Sequence, residues 1–287
     1  MKSQLQLLII DPQNDFCDLP ADYLPSAGNF TSQPALPVVG AHQDMLRIAD
    51  LIARGANGIS QIHLSLDSHH HIDIAHPTFW MDAQHQAISP FTQILASDVR
   101  TGQFLPRQAQ HLPRVLAYLD ALERSGRYTL MVWPVHCEMG SWGHNVHDDV
   151  RRAYNRWEES TMQSVNLIVK GSNPWTEHYS ALQAEVPDEG DAATLLNREL
   201  LAKLETADHV YICGEAGSHC VKATTEHLVA HLPAQQKSKL VLLRDCISAV
   251  TGFEAQYASF LQDMAAQGVQ IATAADVLPE LIANAAR

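Results

Sequence analysis

Short apolar runs alternating with helical patterns constrain this chain most. QLLII at 6–10, ISQIHLSL at 59–66, YTLMVW at 128–133, VNLIVK at 165–170, HVYICG at 209–214 and KLVLLRD at 239–245 have strand length and strand composition. VQIAT at 269–273 fits a short edge strand. Between them, apolar residues recur at helical spacing over 36–55, 142–158, 193–205, 218–231, 253–267 and 275–286. Val/Ile/Leu-rich strands separated by helices predict a mostly parallel sheet covered on both faces, a three-layer α-β-α fold. The 287 residues suit one such domain spanning 1–287. Two stretches stand outside the alternation: a loop rich in Pro, Ser, Asn and Gly at 18–35, and an insertion at 77–127 with a predicted helix near 112–124. Loops of this length in α/β domains serve as lids or interfaces.

An open parallel sheet binds its ligand outside the carboxyl ends of its strands. Those ends carry Asp11, then Asp67 and His69, then Trp133 and His136, then Lys170, and finally Gly214 leading to Cys220. Asp67 and His69 are two residues apart, so their side chains leave one face together. They can give two ligands to one divalent ion, with His136 a third from another strand end. His76 is a plausible fourth, with His71 and Asp73 as rivals; His70 and His71 read as a solvated loop. Three or four N/O ligands suit Zn, Fe or Mn.

Cys220 lies where a strand, a Gly-containing turn and a helix start meet. A helix N-terminus lowers a thiol pKa and offers free N–H groups to an oxyanion. Cys137 is a weaker rival nucleophile, and Cys17, Cys213 and Cys246 read as structural. Asp11 and Lys170 add a carboxylate and an ammonium able to manage the thiol proton.

The blocks LLIIDPQNDFC (7–17), LDSH (66–69), WPVHCEMGSWG (133–143), VKG (169–171) and GEAGSHCV (214–221) resemble, in that order, the motifs of nicotinamidases in the isochorismatase-like cysteine hydrolase superfamily. The resemblance spans most of the chain outside the two insertions. It implies an isochorismatase-like fold, a catalytic triad of Asp11, Lys170 and Cys220, and metal ligands Asp67, His69 and His136, with His76 the further one. It also implies that Phe16 and Trp133 sandwich a pyridine ring and that Tyr179 lines the pocket. The oxyanion hole falls at the backbone of Ala216 and Cys220, in a turn with a cis peptide. The implied activity is hydrolysis of nicotinamide to nicotinate and ammonia through a thioester, with one divalent ion, Zn ahead of Fe or Mn, in pyridine nucleotide salvage. A different small carboxamide is the alternative substrate, and a non-catalytic metal-binding protein the alternative class.

Composition removes other classes. Hydrophobic residues at 46% and charged residues at 18% are globular values. A net charge of −13 disfavours nucleic acid and anionic membranes as partners. LLII is too short for a signal peptide or a span. The five cysteines are odd in number and form no CxxC, which predicts a reducing, cytoplasmic setting. No GxGxxG or P-loop follows a strand. The expected partner is a small amide, and the size of the 77–127 insertion allows a homo-oligomer.

Overall fold

The computed structural model describes residues 2–27 and 30–287. In chain order its elements are β1 (Leu5–Ile10), β2 (Ser26–Ala27), β3 (Phe30–Thr31), α1 (Ala41–Gly55), β4 (Gln61–Asp67), β5 (Trp80–Asp82), β6 (Thr92–Ile94), α2 (Ala96–Arg100), β7 (Phe104–Pro106), α3 (Leu112–Ser125) and β8 (Leu130–Val132). Then come α4 (Asp148–Thr161), β9 (Asn166–Lys170), α5 (Arg198–Glu205), β10 (His209–Gly214), α6 (Cys220–His231), β11 (Leu240–Leu243), α7 (Glu254–Ala266), β12 (Gln270–Ala272) and α8 (Ala274–Ala285). The predicted 18–35 loop holds the β2–β3 hairpin; its residues Gly28 and Asn29 lie outside the described residues.

Six strands form one parallel sheet in the order β12-β11-β10-β1-β4-β9. The central strands β1, β10 and β11 are almost wholly buried, as their unbroken apolar sequences require. Helices flank the sheet, with α1 packed on α4 and α8, and α6 packed on α7. Among the described residues no helix is long and apolar enough to cross a membrane.

One expected sheet strand is elsewhere. The YTLMVW run forms β8, which pairs antiparallel with β6 instead of joining the parallel sheet. On the side away from β1, the neighbour of β4 is β9. The reason lies in what β8 buries. Leu130 and Val132 pack with Ile94, Val115, Leu119 and Leu122 in a second hydrophobic core, while Met131 faces the main one. This second core belongs largely to the 77–127 insertion, which also contains the antiparallel pair β5–β7 and the helices α2 and α3.

Helix boundaries shift for local reasons. The 36–55 pattern becomes helical only after Gly40, which takes φ +97°. Helix α4 starts at Asp148, not 142, because Trp142, Gly143 and Asn145 give their carbonyls to Asn14 and Asp15, and His147 caps the helix.

Candidate active site

The end of β1 and the end of β10 touch closely. A Cβ on Gly214 would lie 2.0 Å from the Ile10 carbonyl oxygen, so only glycine fits there, with φ +106°. The chain then turns through a cis Glu215–Ala216 peptide and enters α6 at Cys220, the first residue of that helix. Asp11, one residue past β1, is buried in the left-handed region at φ 44°, which aspartate tolerates better than most residues.

Lys170, at the end of β9, reaches back under the sheet edge and is 2% exposed. Its ammonium lies 2.9 Å from Asp11 Oδ2, 3.0 Å from Asp67 Oδ1 and 3.7 Å from Cys220 Sγ, and it donates to the His178 carbonyl at 3.0 Å. The Ser65 hydroxyl donates to Asp11 Oδ1 at 2.6 Å and accepts the Asp11 N–H. Burial pushes the Cys220 thiol well up, against the pull of Lys170. Burial likewise raises the Asp11 carboxyl, and Lys170 offsets this only in part. Burial alone would lower Lys170, but the carboxylates of Asp11 and Asp67 outweigh it and hold the ammonium well above its ordinary range. At neutral pH the sulfur therefore keeps its proton, beside a carboxyl group with raised proton affinity. The N–H groups of Ala216 and Cys220 have no backbone acceptor among the described residues, which leaves both available to an oxyanion.

Lys170 also links this trio to a histidine cluster through Asp67. Asp67 Oδ2 is 3.1 Å from His69 Nε2 and 3.4 Å from His136 Nε2. His76 Nε2 is 3.3 Å from His136 Nδ1. One ligand atom each of His69, His76 and His136 lies within 4.8 Å of the others, and all three side chains are buried. His136 arrives by a route that strand adjacency does not give. The His69–Glu138 bridge, with His69 N–H donating to the Cys137 carbonyl at 3.0 Å, draws the 136–139 segment alongside the end of β4. The other ring nitrogen of His69 bonds Asp73 Oδ2 at 3.1 Å. Asp73 thus orients a histidine, and the exposed His71 turns to Glu138. His76 Nδ1 is buried with no partner among the described residues, and burial keeps its ring neutral. Three imidazoles around the Asp67 carboxylate, with the Asp73 carboxylate behind His69, are the donor set of a divalent cation.

Between the trio and the histidines lies a narrow cavity of ≈ 20 Å³. Phe16, Trp133 and Tyr179 line it with Asp67, His136, Ala216 and Cys220. Trp133 Nε1 donates to the Tyr179 hydroxyl at 3.1 Å. Cys137 is not among the lining residues; burial raises its thiol, and its N–H serves Asp15. Sequence reasoning passed over Leu36, Val250, Glu177 and His219, which also line the cavity. Glu177 is buried, its Oε2 has no partner among the described residues, and burial lifts it to about 8. His219 packs edge-on against Trp133 and stays neutral, its pKa lowered by burial to about 3. The position of His219 beside Cys220 was its one available signal.

No family model matches the chain. The nicotinamidase of Saccharomyces cerevisiae is 29% identical over 96 residues. That stretch covers 33% of this chain and 38% of the yeast protein, well under two thirds of its length. The solved yeast structure aligns over 94% of this chain and 99% of its own at TM-score 0.61 and 19% identity. A nicotinamidase/pyrazinamidase of Acinetobacter baumanii aligns over 96% and 98% at TM-score 0.59 and 19% identity. A pyrazinamidase of Pyrococcus horikoshii, solved in complex with zinc, aligns over 94% and 99% at TM-score 0.50 and 19% identity. The sheet order, the flanking helices and these alignments together give the chain the fold of nicotinamidases, pyrazinamidases and isochorismatase-like hydrolases.

Proposed function

We propose that this chain is a metal-dependent cysteine amidase that hydrolyses nicotinamide to nicotinate and ammonia, working as one domain in a reducing, cytoplasmic setting. One observation carries the reading: Cys220 of the buried Asp11–Lys170–Cys220 trio and Asp67 and His136 of the Asp67–His69–His76–His136 cluster line the same aromatic cavity, and Lys170 joins the two groups by contacting both Asp11 and Asp67. The yeast nicotinamidase similarity supports the substrate class.

In this reading Phe16 and Trp133 hold a flat ring, and Tyr179 fixes Trp133 through its indole hydrogen bond. A divalent ion held by Asp67, His69, His136 and His76 would supply Lewis-acid coordination to a ring nitrogen and so orient the carboxamide. The zinc complex of the Pyrococcus pyrazinamidase favours Zn as that ion. Cys220 passes its proton to Asp11 as the sulfur attacks the amide carbon. The N–H groups of Ala216 and Cys220 stabilise the oxyanion. Asp11 returns the proton to the departing nitrogen, and ammonia leaves. Asp11 then takes a proton from water, which attacks the thioester, releasing nicotinate and restoring the thiol. Lys170 remains charged throughout and stabilises whichever of Asp11 and Cys220 is anionic.

The test is ammonia release by the zinc-loaded protein from nicotinamide, pyrazinamide and benzamide. Turnover of the first two with little from benzamide is expected, because benzamide lacks a ring nitrogen. Equal turnover of all three would contradict the orienting role of the ion. Silence with nicotinamide would contradict the assigned substrate.

A further inference from the structure

A second pair of buried acids, unused by the chemistry above, lies beneath the turn that carries Ala216. Glu215 directly precedes that residue and is 0% exposed. Its Oε2 accepts the N–H of Ser248 at 3.2 Å, and the Gly217 N–H donates to the Ser248 carbonyl at 2.7 Å. The turn therefore grips Ser248 from both sides. The Ser248 hydroxyl donates to Asp44 Oδ2 on α1, and Arg47 donates to Asp44 Oδ1 at 2.9 Å. Glu215 Oε1 has no donor among the described residues. Yet the carboxyls of Glu215 and Asp44 are within hydrogen-bonding reach of one another.

Two ionised carboxylates offer only acceptors, so this contact is a bond only when a proton sits in it. We propose that Glu215 and Asp44 share one proton, and that the resulting bond positions the Ala216 N–H for the oxyanion. These two are positioning residues; neither lines the cavity. Loss of the proton would set two buried carboxylates against each other and displace the turn.

The surroundings favour keeping the proton. Facing the pair are Asp18 and Cys17 from the segment after β1, Cys213 from β10, Asp245 and Cys246 from the segment after β11, Tyr257 from α7 and Arg47 from α1. Arg47 is the one cation in that set, and its side chain is 47% exposed. Burial, then the charge of Asp44, holds the Glu215 carboxyl well above its usual range. Burial lifts Asp44 to about 6.

The positioning role rests on the Cys220 amidase reading; the shared proton does not. Two measurements separate them. Infrared difference spectra of wild type minus Glu215→Gln at neutral pH should show a protonated-carboxyl stretch that the variant lacks. The wild-type kcat for nicotinamide should have an alkaline limb falling about tenfold per pH unit, and Glu215→Gln should shift or remove it, since its amide donates at any pH. Should Glu215→Gln not fold, Asp44→Asn carries both readouts, because its amide also replaces the proton. Absence of the carboxyl band would overturn the shared proton. An unchanged alkaline limb in a folded variant would overturn the positioning role. The band without any wild-type turnover would keep the proton pair and reject the amidase reading.

Discussion

Lys170 shows how a few side chains set the behaviour of the site. Its ammonium lies between Asp11 and Asp67, all three nearly inaccessible to water. Removing one member of a buried ion network strands the others, at a cost of about 3–5 kcal/mol. Lys170→Ala is therefore expected to lose about that much stability in urea denaturation, beyond any loss of turnover; an unchanged midpoint would contradict the charge arrangement. The residues brought together here were legible because each ends or follows an apolar run: Asp11 after β1, Asp67 and His69 at β4, Lys170 at β9, Cys220 after β10. Their supports were not. Ser65 reads as a polar position within a strand, and Asp73 as a rival ligand, yet one steadies Asp11 and the other His69. Glu177 lies in an irregular stretch whose periodicity says nothing about which way its carboxyl faces.

At the scale of elements, β4 carries a further titratable group. His63 is wholly buried; its Nε2 bonds Gln6 Oε1 at 3.1 Å, and its Nδ1 lies 2.9 Å from Asn166 Nδ2. The amide of Asn166 donates to Nδ1, so the ring must be neutral with its proton on Nε2. Burial, then Lys203, lowers its pKa from 6.5 to about 4. The unfolded chain thus binds this proton more readily, so the neutral ring's contribution is complete above pH 6.5 and is lost as pH falls through 4. Its share is on the order of 3 kcal/mol. Urea midpoints measured from pH 7 to pH 4 should fall, and His63→Gln should flatten that slope; a parallel slope would contradict it. The inserted lobe has its own packing, centred on residues such as Leu119. Leu119→Ala should cost about 2–5 kcal/mol, read from the same denaturation curves. The helix at 112–125 was legible from its periodicity. The placement of β8 was not, because a three-residue apolar strand looks the same whether it joins a parallel sheet or folds back on an insertion.

For the whole molecule, the order of strands and helices followed from the alternation of apolar runs. The permutation that puts β1 at the centre and β9 at the edge depends on crossover packing, which periodicity does not encode. All five cysteines are free and buried. Stability therefore rests on the two hydrophobic cores and, in the proposed function, on the bound ion. A ligand held only by the native state stabilises by mass action. Chelation of the zinc-loaded protein should lower its Tm, and added zinc should restore it; an identical Tm would contradict a site made by His69, His76 and His136. The most direct test of the account concerns Cys220. In zinc-loaded Cys220→Ala, ammonia release from nicotinamide should vanish while circular dichroism, Tm and bound-metal content match the wild type. Undiminished turnover in that variant would contradict the account at its centre.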